Sequence, residues 1–214
     1  MADRSTTHHT ITHVVAQTLL TYEADAEIFL QHWGRKKYQR PPLLKEWMKL
    51  LPKRAVVLDL GCGAGQDARY LTKLGHWVIG LDRTMPLLRF ARRRSASVPF
   101  VLADMRVLPI RPGSLDGIWA AASMMHVPKP EARQVLKILR DCVRSDGLLA
   151  ATVTHGWKSR IKQNGWMPGR YFARWKKDEL AKAFHLAGWQ VLSMRVVRNR
   201  ERKGRWINVI ARRT

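Results

Sequence analysis

The stretch Ala55–Leu74, A-V-V-L-D-L-G-C-G-A-G-Q-D-A-R-Y-L-T-K-L, sets a short apolar run against three closely spaced glycines and then a helical pattern. It reads as strand, tight turn and helix. Val56, Val57, Leu58 and Leu60 suit a parallel strand covered on both faces. Gly61, Gly63 and Gly65 remove side chains where the backbone must turn and where a ligand can approach it closely. From Gln66, the residues Ala68, Tyr70, Leu71 and Leu74 recur at helical spacing, so the loop lies at a helix N-terminus with backbone N–H groups facing outward. A nucleotide-like ligand belongs there.

Two later acids narrow that ligand. His76 to Leu81 forms a second apolar run, and Asp82 stands just after it, where a carboxylate can accept from both hydroxyls of an unphosphorylated ribose. Pro99 to Ala103 forms a third, closed by Asp104 and Met105, where the acid can accept from an adenine amino group while the next N–H donates to the ring. The glycine spacing is G-x-G-x-G rather than the G-x-G-x-x-G of dinucleotide folds.

With these residues in hand, the chain resembles the class I S-adenosylmethionine-dependent methyltransferases, in particular the small single-domain ones that act on metabolites. The resemblance runs from about Tyr22 to the C-terminus. It implies a Rossmann-like α/β fold, with a seven-stranded, mostly parallel sheet whose last strand is antiparallel and helices on both faces. It implies S-adenosylmethionine as cofactor and S-adenosylhomocysteine as product. The cofactor set it implies is Asp59, Gly61, Cys62, Gly63, Gly65, Asp82, Arg83, Asp104, Met105 and Ala121, with Tyr22 as a lid residue from an N-terminal helix; helix packing is the rival role for Tyr22.

Composition bounds the rest. The 214 residues fit one domain, 1–214, with a polar, mobile stretch at 1–12, an N-terminal helical cap at 13–53 and a substrate lid at 155–175. Lys+Arg 39 against Asp+Glu 16 gives a net charge of +23, which attracts anions at long range but can equally be a solvated basic surface. Cys62 and Cys142 fit neither a disulfide framework nor a zinc site, and His8, His9 and His13 lack the acids or cysteines of a metal cluster. No metal is expected. Neither an apolar signal core nor a run near the ~20 residues of a membrane span is present, so the expectation is a soluble, cytoplasmic enzyme.

Later segments supply the acceptor side. Leu115 to Ala122 reads as the fourth strand, Leu148 to Thr154 as the fifth, and Trp189 to Val197 and Arg205 to Ala211 as the last two, joined by the basic turn at 198–204. His126 and His155 follow the fourth and fifth strands, where ligands lie in open α/β sheets, and each can serve as a base near neutral pH. For His126 a positioning role is the alternative. The segment His155 to Trp175 alternates Trp157, Trp166, Tyr171, Phe172 and Trp175 with Lys158, Arg160, Lys162, Arg170 and Arg174. Such a loop suits a lid over an acidic substrate, a clamp on nucleic acid, or an anchor onto the core. The favoured function is methyl transfer to an oxygen or nitrogen of a small anionic metabolite held near Arg170 and Arg174, with His155 and Trp157 beside it. The other functional readings are an RNA- or ribosome-directed methyltransferase and a cofactor-binding module without catalysis. Ala120 to Ser123 reads A-A-A-S in place of an N-P-P-Y-like motif, which counts against methylation of exocyclic base amines.

Overall fold

The computed structural model describes residues 4–199 and 204–214. A parallel core forms first along the chain: β1 (Val56–Leu60), β2 (Trp77–Asp82), β3 (Phe100–Leu102), β4 (Leu115–Ala121) and β5 (Val143–His155). Short strands β6 (Arg160–Ile161), β7 (Tyr171–Phe172) and β8 (Arg174–Trp175) follow, then β9 (Trp189–Asn199) and β10 (Gly204–Arg213). The sheet order is β3-β2-β1-β4-β5-β10-β9, and β10 is antiparallel to both its neighbours. The seven expected strands and the antiparallel last strand are therefore present.

β8 is an addition. Past the end of β4 at Ala121, the vacant edge of β5 is taken by β8, which pairs in parallel as Thr154↔Arg174 and His155↔Trp175. β5 also begins earlier than Leu148. Its register with β4 shifts around Arg144–Gly147, where Asp146 sits at φ +64, so the expected Ser145–Gly147 turn is a bulge within a longer strand.

Helices cover both faces. On one side α6 (Lys129–Cys142) buries Ala132, Val135, Leu136, Leu139 and Cys142 at helical spacing, and α7 (Lys177–Leu186) adds Leu180 and Phe184. On the other, α3 (Pro42–Met48), α4 (Gln66–Lys73) and α5 (Met85–Arg94) bury Leu43, Leu44, Trp47, Leu71 and Leu88 against Val57, Trp119 and Ala150. Each such large apolar side chain contributes about 1.5–3 kcal/mol relative to exposure. Arg92 at the end of α5 donates to the carbonyl of Phe100 at 2.8 Å, which ties the basic helix end to β3.

A third, smaller cluster roofs the carboxyl edge. α1 (Arg4–Ala24), α2 (Ala26–Phe29) and a π-helical turn at Leu30–Gly34 place Tyr22, Ala26, Phe29 and Leu30 over Ala64, Leu87 and Phe90. The expected irregular stretch at 1–12 is helical from Arg4 instead. Neither Gly nor Pro interrupts Arg4–Ala24, and the last turns of α1 are docked, so the helix extends backward from a fixed end. The basic turn expected at 198–204 falls largely on 200–203, outside the described residues, as do the side chains of His8 and His9. No described helix is long and apolar enough to cross a membrane.

Candidate active site

The glycine turn is built by contacts that side chains would block. Gly61 sits at φ +71, and a Cβ there would collide with Ser123 at the end of β4. Gly65, also at φ +71, starts α4 with its α-carbon against Phe100; an added Cβ would lie 2.8 Å from that ring. The Gly61 and Cys62 N–H groups donate to the carbonyl of Leu81 at 2.7 and 3.0 Å, which locks the turn to β2.

The acids divide their work. Asp82 accepts from Gly63 N–H and Thr84 N–H, both at 2.9 Å, so it braces the glycine loop while lining the cavity. Burial raises its pKa, and those N–H groups oppose the rise. Asp59 is buried and accepts from Ala68 N–H at 3.0 Å inside the first turn of α4; burial, then Asp67, push its pKa well up. Asp104 is held by Arg106, whose Nη2 lies 2.7 Å from Oδ2, and by Arg83 at 3.3 Å. Burial raises the Asp104 pKa, but the Arg106 hydrogen bonds prevail and leave it below the ordinary range. An adenine amino group would therefore meet a carboxylate already shared with two guanidinium groups. Arg106 also reaches Glu131 at 3.4 Å.

Around the turn after β4 the backbone is strained. Ala122 lies at φ +57, and its N–H donates to the Thr152 hydroxyl oxygen at 2.8 Å. This conformation turns Ser123 into the cavity wall, where its hydroxyl is buried and has no hydrogen-bond partner among the described residues. His126 follows. Its Nδ1 lies 2.6 Å from the carbonyl of Tyr171, an acceptor only, so Nδ1 carries the proton and Nε2 accepts from the Tyr22 hydroxyl at 3.0 Å. Burial, with Arg170 nearby, lowers the His126 pKa to about 4, against the partial support of the Tyr171 carbonyl. His126 is neutral at pH 7 and neither ring nitrogen is open to an acceptor, so of its two expected roles the geometry fits positioning.

Arg170 closes the arrangement. It is 4% exposed; Nε donates to the Met167 carbonyl at 3.0 Å and Nη1 to the Tyr22 hydroxyl at 3.2 Å. Its guanidinium lies over the rings of Trp166, Tyr22 and Phe172, at 4.4, 5.4 and 5.4 Å from their centroids. Trp166 in turn stacks on His32 of the π-helical turn at 4.1 Å. Among the described residues Arg170 is in no ion pair.

Gly61, Cys62, Gly63, Asp59, Asp82, Arg83, Asp104, Met105, Ala121, Tyr22, His126 and Arg170 all line one cavity of about 1570 Å³ along the carboxyl edge. Gly65 lies just behind it. Three expected acceptor residues do not line it. The pairing of β8 with β5 fixes Arg174 against Gly156 and puts His155 beside Trp175, while Trp157 is 77% exposed with Lys176 Nζ 3.7 Å from its ring centre. The sequence reading also missed contributors. Asp67 accepts from the Tyr38 hydroxyl at 2.6 Å and the Trp119 indole at 2.8 Å, and both Asp67 and Tyr38 line the cavity. Arg106, two residues from Asp104, was open to discovery as a local ion pair.

This sheet order, with a glycine turn after β1 and acids after β2 and β3, is the fold of the class I S-adenosylmethionine-dependent methyltransferases. A family described as a methyltransferase domain matches residues 57–147. Malonyl-[acyl-carrier protein] O-methyltransferase of Salmonella typhimurium is 32% identical over 64% of this chain and 54% of that protein. The mouse tRNA (carboxymethyluridine(34)-5-O)-methyltransferase is 26% identical over 71% of this chain and 23% of that protein. The crystal structure of Burkholderia thailandensis 1,6-didemethyltoxoflavin-N1-methyltransferase, with its substrate and S-adenosylhomocysteine bound, aligns with a TM-score of 0.75 at 21% identity, over 96% of this chain and 90% of that one. The chain thus spans a quarter to about half the length of these curated relatives.

Proposed function

We propose that the chain transfers the methyl group of S-adenosylmethionine to an oxygen or nitrogen of a small anionic acceptor whose negative charge is met by Arg170. The carrying observation is the buried guanidinium itself. A cation withdrawn from water without a counter-ion is costly, so an anion arriving with the ligand stabilises both partners. The residues present also fit the cofactor: the space at Gly61 exists only without a Cβ, and the Ser123 hydroxyl awaits a partner.

The cofactor supplies a methyl group already activated on a sulfonium, so the protein's task is alignment. The glycine turn and Asp59 shape the wall for its amino-acid portion, Asp82 for its ribose, and Asp104 with Met105 for its adenine. Ala121 and Ser123 form the floor beneath. Tyr22, held between Arg170 and His126, fixes the roof over the reacting atoms. With both His126 nitrogens engaged, an acceptor that arrives ionised suits the cavity best.

The test is turnover of a panel of carboxylate acceptors beside their neutral amides. Arg170→Met should leave S-adenosylhomocysteine affinity within about twofold and lower kcat/KM for the acids about tenfold or more. Amides turned over as well as acids by the unaltered protein would overturn the reading. The second reading, RNA as acceptor, draws on the 16 Lys and Arg against 3 Asp and Glu between Ala151 and Thr214.

A further inference from the structure

The cavity is larger than one small acceptor and the cofactor's usual pocket require. Ligand sites span about 300–1,000 Å³, and this one reaches about 1570 Å³ because it continues onto the α3 face of the sheet. On that face one cross-strand row lines it: Ala121 pairs with Thr152, Thr152 with Asn208, and Asn208 with Arg195. Partners in register point to the same side. The next row of that face, two residues back along β4 and β5 and two forward along the antiparallel β10, is Trp119, Ala150 and Ile210, and α3 buries it. The helix stops short of the row above, and the chain leading into it, from Lys36 to Pro42, forms the opposite wall. Arg170 belongs to the other side, in the hairpin whose Tyr171 and Phe172 pack on the α6–α7 core.

The chemistry of this second arm is consistent from floor to rim. The Asn208 amide has no hydrogen-bond partner among the described residues. The Thr152 hydroxyl oxygen already accepts from Ala122 N–H, which leaves its proton to be donated. Lys37, Arg40 and Arg195 line the arm; of its acids, Glu46 is paired with Arg195, and Asp67 accepts from the Tyr38 hydroxyl and the Trp119 indole. Arg40 uses one N–H on the Tyr70 hydroxyl at 2.9 Å, while Lys37 is in no ion pair among the described residues. A single carboxylate is already matched by Arg170. The further cations, fork-shaped and set around an amide donor, fit an oxyanion with more than one charge.

We propose that this arm binds a phosphate-class, multiply charged oxyanion carried at the end of the acceptor remote from the methylated atom. The proposal rests on the reading of the acceptor as a small anion, and extends it to a second, separate anion site. Asn208 and Arg195 grip the tail, Glu46 moderates the grip by holding Arg195, and Arg170 takes no part.

The experiment is calorimetric titration of the S-adenosylhomocysteine-saturated protein with inorganic pyrophosphate. Binding should weaken about tenfold in Asn208→Leu and in Arg195→Ser, the equivalent of one charge-assisted hydrogen bond. It should tighten about threefold in Glu46→Gln, which frees Arg195. It should be unchanged in Arg170→Met and in Arg93→Ser, an exposed charge on α5. Unaltered S-adenosylhomocysteine affinity in each variant certifies the fold. Equal affinity in Asn208→Leu, Arg195→Ser and the parent protein overturns the proposal, as does an equal loss in Arg93→Ser, which would mean attraction by bulk charge. Loss in Arg170→Met alone overturns the second arm and leaves the anionic acceptor standing. A short RNA oligomer that binds at least tenfold more tightly than pyrophosphate, with the same variant sensitivity, overturns the small-tail assignment.

Discussion

His126 has its charge state set by neighbours from two separate parts of the chain. The imidazole is buried, donates to the Tyr171 carbonyl and accepts from Tyr22, and its pKa falls to about 4. In the unfolded chain a histidine titrates near 6.5, so between about pH 6.5 and 4 the unfolded state takes up a proton that the folded state refuses. Stability from this group is therefore full above pH 6.5 and is lost as pH falls toward 4, by about 3 kcal/mol. Denaturant titrations of His126→Gln and the parent protein at pH 7 and pH 4 check it: the variant should lose about 3 kcal/mol less on acidification. Equal pH dependence in the two would mean that His126 is protonated in the folded protein. Partner choice of this kind was not legible in the sequence, because Tyr22 and His126 are 104 residues apart and only the fold brings them within 3.0 Å. The glycine turn was legible because its requirement is local: the backbone must adopt positive φ wherever the turn happens to sit. Asp104 fell between the two, its position after β3 readable and its capture by Arg106 not read.

At the scale of elements, the roof is assembled from both ends of the chain. β6 and β7 pair over only two residues each, Arg160↔Phe172 and Ile161↔Tyr171, and two further backbone bonds join Lys162 to Arg170 and Gly169. The hairpin meets α1 through Tyr171 N–H donating to the Thr18 hydroxyl at 2.9 Å, and the residue after it, Ala173, donates its N–H to the carbonyl of Met125, in the turn after β4, at 2.7 Å. So few ladder bonds can open at low cost. Hydrogen exchange should find amides at 160–172 weakly protected in the free protein and more strongly protected with S-adenosylhomocysteine and a carboxylate acceptor together. Full protection without ligand would assign the hairpin to a fixed anchoring role. The alternation of aromatic and basic residues pointed to this segment, yet it could not separate Arg170 from Arg174. That distinction came from β8, a two-residue strand with no apolar pattern long enough to read.

For the whole molecule, the charge of +23 and the sheet order bear on different questions. Charge governs how the protein meets its acceptor. For a small anion, log(kcat/KM) should fall with log salt by about two counterions' worth, whereas RNA docking would give a slope of roughly 0.7–0.9 for each of many released counterions. Rates and RNA affinities measured across a tenfold range of salt decide between them; nanomolar RNA binding that persists at physiological salt would displace the metabolite reading. Sheet order, in turn, has a consequence for synthesis on the ribosome. β10 lies between β5 and β9, and β9 pairs with no other strand, so while the chain is emerging β9 has no place in the sheet. β5 meanwhile keeps one long side unpaired. The Trp206, Asn208 and Arg195 wall of the cavity comes into being only when Gly204–Arg213 slides between the two, long after the glycine turn has been made. On the proposed reading, the nascent chain thus completes the wall for its cofactor well before the wall for its acceptor.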